Sequence, residues 1–138
     1  MMVTRVFDSL LIEMCCPESE IPFSEPAVTQ MSPDGALTLA QSLKDKGAKM
    51  YGAFWCSHCF EQKQAFGKDA VGTLPYVECY PDGYNGPKSI NRACIDADVQ
   101  GFPTWIINGK KVEGDWPLPY LKSVLDGADP REEAKKYD

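Results

Sequence analysis

The sequence lacks several features that would indicate common functional classes. It has one histidine, no run longer than 11 residues without a charged side chain, and fewer basic than acidic residues, 14 against 20. A membrane-spanning helix needs about 20 apolar residues, and a surface for nucleic acid or anionic lipid needs clustered positive charge. We therefore expect neither a membrane span nor a nucleic-acid partner. The composition, 43% apolar and 25% charged over 138 residues, is typical of one globular domain.

The net charge of −6 belongs to the two ends of the chain. Residues 1–33 carry one base and five acids, residues 126–138 three bases and five acids, and the segment between them ten of each. We predict an acidic, extended or partly disordered arm over residues 1–31, a folded domain over 32–126, and a charged, frayed tail over 127–138. The arm contains the adjacent Cys15 and Cys16, which have no assigned role. Acids on both sides of its apolar stretch argue against a targeting segment.

Helix and strand patterns alternate through the central segment. They predict the order helix, strand, helix, strand, helix, hairpin, helix. Ser32 and Pro33 are predicted to start the first helix, and another helix is predicted from about Lys88. Asn108-Gly109 is a strong signal for a tight hairpin. This order is typical of an α/β protein with a central mixed sheet flanked by helices.

Cysteine is the abundant reactive residue, with six copies. Cys56-Ser57-His58-Cys59 lies where a predicted buried strand meets a helix, so backbone N–H groups and the helix dipole should favour a thiolate at the first sulfur. The second sulfur, one turn later on the same face, can resolve a mixed disulfide. We expect Cys56 to be the accessible attacking thiol and Cys59 the shielded resolving thiol. We expect His58 to stabilise the reduced form and so make the disulfide a better oxidant.

Phe102-Pro103-Thr104 precedes a later predicted strand, and Trp55 precedes the cysteine pair. Together with the CxxC motif these residues resemble the thioredoxin superfamily. In that superfamily the proline is cis and stands against the cysteine pair, and the backbone beside it pairs with the client's chain. The resemblance implies a thioredoxin-like fold in which these four residues shape the client groove. The effect expected of His58 on the reduced form places the potential on the oxidising side of thioredoxin.

Three motifs in order support a narrower resemblance, at residues 49–59, 76–79 and 101–108. They resemble the thioredoxin-like domain of plant and cyanobacterial vitamin K epoxide reductase homologues, over roughly residues 32–125. That family oxidises client thiols and passes the electrons to a quinone-reducing membrane part. The resemblance therefore implies oxidative folding in the thylakoid lumen or a related plastid space, with no dissociable cofactor or metal. It also implies a structural disulfide between Cys79 and Cys94 and, because this chain has no membrane span, a separate electron acceptor.

The sequence departs from thioredoxins at Met50, where they keep a buried acid that accepts the proton of the resolving thiol. Glu61 and Glu78 are candidates to replace it. We therefore expect oxidation or shuffling of disulfides rather than efficient reduction.

Two other functions remain open. Cys56, Cys59, Cys79 and Cys94 could form a four-sulfur zinc site, although 15 residues separate the last two. The chain could instead be a redox-quiet accessory subunit that docks through its acidic ends.

Overall fold

The computed structural model describes residues 25–137, so Cys15 and Cys16 lie outside the described residues. Short 3₁₀ segments occur at Val71–Thr73, Pro87–Ser89 and Lys135–Tyr137. Within the described range no helix is long and apolar enough to cross a membrane. The helices and strands, in chain order, are α1 (Ala36–Asp45), β1 (Lys49–Gly52), α2 (Ser57–Phe66), β2 (Tyr76–Glu78), α3 (Arg92–Asp96), β3 (Thr104–Ile107), β4 (Lys110–Glu113), α4 (Leu118–Leu125) and α5 (Pro130–Ala134).

The four strands form one mixed sheet in the order β2-β1-β3-β4. Strand β1 runs parallel to β2 and antiparallel to β3, and β3 and β4 are antiparallel. Successive strand residues point to opposite faces, and both Thr104 and Trp105 of β3 are fully buried, so the centre of the sheet is covered on both sides. The predicted α/β class, with a thioredoxin-like mixed sheet flanked by helices, is confirmed.

The predicted hairpin is confirmed at Asn108-Gly109. Both residues have positive φ, 55° and 76°, which is the backbone that a two-residue hairpin turn with the twist of β-strands requires. The Asn108 side-chain amide also donates to the carbonyls of Val124 and Leu125, at 3.3 and 2.9 Å. The turn residue therefore satisfies backbone acceptors at the end of α4 that lack an intrahelical partner.

The first helix starts later than predicted. Its N-cap is Gly35, not Ser32, because the Ser32 hydroxyl instead accepts a hydrogen bond of 3.0 Å from the Asp69 backbone. A Cβ on Gly67 would lie 2.3 Å from the Cα of Ser32, so the turn after α2 approaches this segment closely. Ser32 joins the two segments rather than capping a helix.

The helix predicted from Lys88 is also shorter. A 3₁₀ turn precedes it, and α3 begins only after Asn91, whose side chain accepts a 2.9 Å hydrogen bond from the Ala93 backbone. Within α3 only Cys94 is buried. The helix is therefore held to the core at one point rather than along an apolar face.

The C-terminal segment, predicted as a charged, frayed tail, forms the short helix α5 and a 3₁₀ turn within residues 130–137. Asp129 caps α5 by accepting a 2.9 Å hydrogen bond from the Arg131 backbone. Glu133 is buried on α5, and the ring of Tyr137 lies 5.9 Å from that of Tyr120. A proper cap and an aromatic contact order a segment whose composition suggested only a solvated tail.

The described part of the predicted arm, residues 25–31, lies along α2. The side-chain oxygen of Gln64 accepts hydrogen bonds of 3.0 Å from the backbones of Thr29 and Gln30. The carbonyl of Gln30 accepts another, of 2.9 Å, from the Lys68 backbone. These contacts tie this stretch of chain to the helix that carries the CxxC motif.

Candidate active site

The CxxC motif lies at the junction of β1 and α2. Cys56 is the N-cap of α2, with extended backbone angles of −82° and 122°, and Cys59 follows in the first turn. Both are present as thiols. The expectation that Cys56 is accessible is wrong for this conformation, since only 3% of the residue is exposed and Cys59 is fully buried. The cause is the segment before β3, which packs against the Cys56 sulfur.

That segment contains the cis peptide bond between Phe102 and Pro103. The Cys56 thiol donates to the Phe102 carbonyl, with 3.7 Å between sulfur and oxygen. The hydroxyl of Thr104 donates to the Gly101 carbonyl at 2.6 Å, and the carbonyl of Pro103 accepts from the backbone of the residue after β4 at 2.8 Å. The structure therefore brings the predicted Phe102-Pro103-Thr104 segment to the first sulfur and holds it by its own hydrogen bonds.

Trp55 is the centre of an aromatic cluster rather than an open groove wall. Its ring lies 4.7 Å from Tyr80, 5.5 Å from Tyr84 and 6.0 Å from Phe102, and the residue is almost fully buried. Sequence reasoning missed both tyrosines, because Tyr80 reads as the end of a strand and Tyr84 as part of the turn that follows it. The cluster packs β1, the loop after β2 and the cis-proline segment together around the cysteines.

A groove of about 260 Å³ opens at the cis-proline segment, and Phe102, whose carbonyl contacts the Cys56 thiol, is one of its lining residues. It is lined by Phe102, Pro103 and their neighbours, and by three titratable side chains, those of His58, Glu113 and Asp115. The Nδ1 atom of His58 lies 3.3 Å from Asp115 and 3.5 Å from Glu61. Sequence reasoning did not anticipate the two groove carboxylates, Glu113 at the end of β4 and Asp115 just after it, since nothing local links them to the CxxC motif.

The second cysteine faces a buried cluster of polar groups from other elements. Burial raises the pKa of Cys59 well above its usual value, and a hydrogen bond to Cys56 and the charge of Cys56 raise it further. A backbone hydrogen bond from Ala53 and the positive charge of Lys63 act in the opposite direction. Cys59 is therefore held as a thiol until its proton can be transferred.

Glu78 lies in this cluster, at the end of β2. Its carboxylate accepts hydrogen bonds from the Tyr76 hydroxyl at 2.9 Å and from the backbones of Phe54 and Tyr80 at 3.2 and 3.0 Å. Burial still raises the pKa of Glu78, although these hydrogen bonds and Lys63 lower it. The sequence named Glu78 and Glu61 as substitutes for the acid missing at Met50; the structure places Glu78 inside and turns Glu61 toward His58.

Lys63 is a buried cation one turn beyond Cys59 on α2. Its Nζ lies 2.7 and 2.8 Å from the two carboxylate oxygens of Glu25 and 3.5 Å from the centre of the Tyr76 ring. A charge of this kind is stable in the interior only when it is paired. Sequence reasoning missed both Lys63 and Glu25, because a lysine on a helix and an acid in a polar arm normally face solvent.

Gln62 fixes α2 relative to the sheet. It is buried, and its side-chain oxygen accepts hydrogen bonds from the Trp105 ring nitrogen at 3.1 Å and the Trp116 backbone at 2.8 Å. Its side-chain nitrogen donates to the Trp116 carbonyl at 3.0 Å. All its hydrogen-bonding groups but one N–H are thus engaged, which keeps the helix that carries both thiols in a defined position.

The other cysteine pair is joined in a disulfide. Cys79 follows β2, Cys94 lies in α3, their Cα atoms are 5.9 Å apart, and 15 residues separate them. The resemblance implied this pairing. A disulfide leaves no thiolate for a metal, so this state is incompatible with the four-sulfur zinc site. Within the described range, the exposed side chains of His58, Glu61 and Asp115 have ligand atoms within 4.8 Å of one another, at the rim of the groove.

Comparison with known proteins relates the chain to a redox enzyme. No protein-family model matches it. It is 51% identical over 105 residues, 76% of its length, to the thiol-disulfide oxidoreductase LTO1 of Arabidopsis thaliana. The chain spans only 28% of the length of that protein. Over three quarters of its length, this thioredoxin-like chain is therefore related to part of a plant thiol-disulfide oxidoreductase.

Proposed function

We propose that the chain is a thiol–disulfide oxidoreductase that oxidises or shuffles disulfides in client proteins through Cys56 and Cys59. The observation that carries this proposal is the position of Cys56. Its sulfur lies at the start of α2 and 3.7 Å from the Phe102 carbonyl, next to the cis-Pro103 bond and a groove. A helix start stabilises a thiolate, and the neighbouring backbone offers a client chain a place to bind.

The oxidising reaction exchanges sulfur–sulfur bonds in two steps. A client thiolate attacks Cys56 of the Cys56–Cys59 disulfide, so that a client–Cys56 bond forms and Cys59 leaves as a thiolate that takes up a proton. A second client thiolate then attacks the client sulfur of this mixed disulfide and releases Cys56. The client loses two electrons and gains a disulfide, and the enzyme pair becomes a dithiol. A separate acceptor must then reoxidise the pair.

The neighbouring side chains have supporting roles in this proposal. Phe102, Pro103 and Thr104 present the backbone to which a client segment binds. Trp55 holds this segment in place from the interior. His58, at the groove rim, tunes the potential by favouring the reduced pair when it is protonated. The Cys79–Cys94 disulfide stabilises the fold and takes no part in electron transfer.

A narrower assignment follows from the same residues. We infer that the chain corresponds to the thioredoxin-like domain of plant and cyanobacterial vitamin K epoxide reductase homologues, and that its acceptor is a membrane partner linked to a quinone. The thylakoid lumen, or another oxidising plastid space, is the compartment that fits such a partner. Two facts support this: the motifs at residues 49–59, 76–79 and 101–108, and a plant relative of which the chain matches only a part.

The test is disulfide transfer to a reduced, unfolded client. Cys56→Ala should abolish transfer. Cys59→Ala, given a client that already contains a disulfide, should accumulate a Cys56–client mixed disulfide on a non-reducing gel, because Cys56 displaces one client thiolate and no resolving thiol follows. The Cys79→Ala/Cys94→Ala variant, assayed where it remains folded, should retain transfer. Transfer by Cys56→Ala would contradict the proposal. Equilibration with glutathione should give the Cys56–Cys59 pair a midpoint potential of about −180 mV or above, whereas a value of about −270 mV would indicate a reductase.

A further inference from the structure

Polar side chains from three separate parts of the chain, Tyr76 and Glu78 on β2, Lys63 on α2 and Glu25 of the N-terminal segment, form a cluster beside Cys59. Gly52 marks how closely its parts approach. A Cβ on this glycine would lie 2.8 Å from the Cys59 sulfur, 2.8 Å from the Tyr76 ring and 3.1 Å from the Tyr76 hydroxyl oxygen. The Cys59 sulfur and the Tyr76 hydroxyl oxygen therefore border the same small space beside Gly52 on β1. The distance between these two atoms cannot exceed the sum of their distances, 2.8 and 3.1 Å, to the Cβ position.

The Tyr76 hydroxyl connects this space to a carboxylate. It donates a 2.9 Å hydrogen bond to Glu78, whose other oxygen accepts from the backbones of Phe54 and Tyr80. Glu78 is thus fixed with one oxygen directed to the phenol. Burial raises the pKa of Glu78, so its carboxyl can take up a proton more readily than an exposed acid can.

Lys63 completes the cluster from the opposite side. Its ammonium group lies over the Tyr76 ring and is neutralised by Glu25, which reaches it from a segment 38 residues earlier in the chain. The charged and titratable groups that act on Cys59 are therefore Cys56, Lys63 and Tyr76, and Glu78 lies behind Tyr76 and acts on its hydroxyl. The Glu25 carboxylate balances the positive charge of Lys63 and so sets the net charge of the cluster.

We propose that Glu78 is the proton-exchanging group of the resolving thiol Cys59, acting through the Tyr76 hydroxyl, and that Lys63 paired with Glu25 balances the charge. This proposal rests on the proposed function, because it explains how that reaction moves its proton. Met50, on β1, leaves no carboxylate at the position that thioredoxins use. Here the acid comes from the neighbouring strand, and a residue of the N-terminal segment completes the site.

The proton balance works in both directions. When Cys59 resolves a mixed disulfide, its thiol proton passes to the Tyr76 oxygen while Tyr76 gives its own proton to Glu78. The Cys59 thiolate attacks Cys56, the Cys56–Cys59 bond forms, and the client sulfur leaves as a thiolate. During client oxidation Cys59 is the leaving group, and the protonated Glu78 returns a proton to it along the same path.

A small aromatic disulfide that releases a coloured thiolate separates the two thiols in a single turnover. The first release reports the attack by Cys56, and the second reports the resolution by Cys59. In Glu78→Gln and in Tyr76→Phe, the second release should slow at least about tenfold, with the first unchanged. Tyr51→Phe is the control. Tyr51 precedes Gly52, so its side chain points to the opposite face of β1, and loss of its hydroxyl should change neither release.

The pH profile separates proton exchange from a simple charge effect. If Glu78 accepts the proton, the rate of the second thiolate release in the unchanged chain rises with pH as this carboxyl ionises and then levels off. In Glu78→Gln the rate continues to rise to alkaline pH. If Glu78 were only a nearby negative charge, its removal would favour the Cys59 thiolate and speed up the second release. Glu25→Gln should do this, because it leaves the charge of Lys63 less balanced.

Several outcomes would overturn the proposal. An unchanged or faster second release in Glu78→Gln excludes proton exchange, and equal slowing of both releases assigns the cluster a structural role. Should Glu78→Gln fail to fold, Tyr76→Phe tests the same path by removing a single oxygen. In each of these cases the unchanged chain would still transfer disulfides to a client, so the proposed function would stand. It fails if the unchanged chain transfers none, or if Cys56→Ala still transfers.

Discussion

The two cysteine pairs of this domain are almost equally buried and differ in nearly every other respect. The Cys79–Cys94 pair is bonded and joins the end of β2 to α3. The Cys56–Cys59 pair lies at the start of a helix, with a groove on one side and a buried cluster of titratable groups on the other. Burial therefore does not distinguish a reactive cysteine from a structural one. The two pairs differ instead in their position at the start of a helix, in the groove available to a client and in the route available to a proton.

The two sides of the CxxC motif also differ from each other. Around His58 the acids are exposed and their ion pairs are in contact with water, where such pairs contribute little to stability. Around Cys59, Lys63 is buried and paired with Glu25, and the partly buried Glu78 accepts hydrogen bonds from Tyr76, Phe54 and Tyr80. The outer side is thus suited to selecting clients, and the inner side to controlling protons.

Removing the structural disulfide should have the largest effect on stability. Cys79→Ala/Cys94→Ala should lower the free energy of unfolding by about 3 kcal/mol, because a bridge over 15 residues no longer restricts the unfolded chain. Denaturant unfolding measures this, with Cys79–Cys94 bonded and Cys56–Cys59 reduced in the unchanged chain, as in this structure. Cys56→Ala/Cys59→Ala removes two thiols and no disulfide, so it should lower the free energy of unfolding by less than Cys79→Ala/Cys94→Ala does. Equal losses in the two variants would break the distinction between a structural and a reactive pair.

Gly52→Ala should have an intermediate effect, aimed at the reactive pair alone. The added methyl group would collide with the Cys59 sulfur and the Tyr76 ring, at 2.8 Å each, and overpacking of this kind costs about 1–3 kcal/mol. Gly72→Ala is the matched control, since a Cβ there meets nothing within 4 Å. Unfolding measurements should separate the two variants, and the second thiol release should change only in Gly52→Ala. Equal stability would mean that the packing around Cys59 is loose.

Asp115→Asn should have the smallest effect on the fold. Its ion pair with His58 is exposed, so the free energy of unfolding should change by less than about 0.5 kcal/mol. Transfer to a client with a lysine or arginine beside its cysteine should slow by up to about fivefold, equivalent to about 1 kcal/mol, and added salt should reduce the difference.

Asp96→Asn is the control for this variant, since Asp96 is an exposed acid outside the groove. It should leave the client preference unchanged. If both variants slowed transfer alike, the overall charge rather than the groove would select clients.

Local signals in the sequence account for part of this architecture. The Asn108-Gly109 turn was predictable because two adjacent positive φ values select these residue types. Cys56 could be placed at a helix start because a strand pattern and a helix pattern meet there. The starts of α1 and α3 were predicted too early, because Ser32 bonds to a distant turn and Asn91, not Lys88, precedes α3.

The sequence by itself determined the CxxC motif, its helix, the alternation of strands and helices and the neutral charge of the central segment, since each depends on residues close together in the chain. Only the tertiary structure brought Glu25, Lys63, Tyr76 and Glu78 to the resolving sulfur. These residues come from the N-terminal segment, a helix and a strand. The sequence offered Glu78 as one of two candidate acids, whereas the other three look like ordinary surface or strand residues. Their chemistry arises from shared burial, which gives a proton or a charge few other partners.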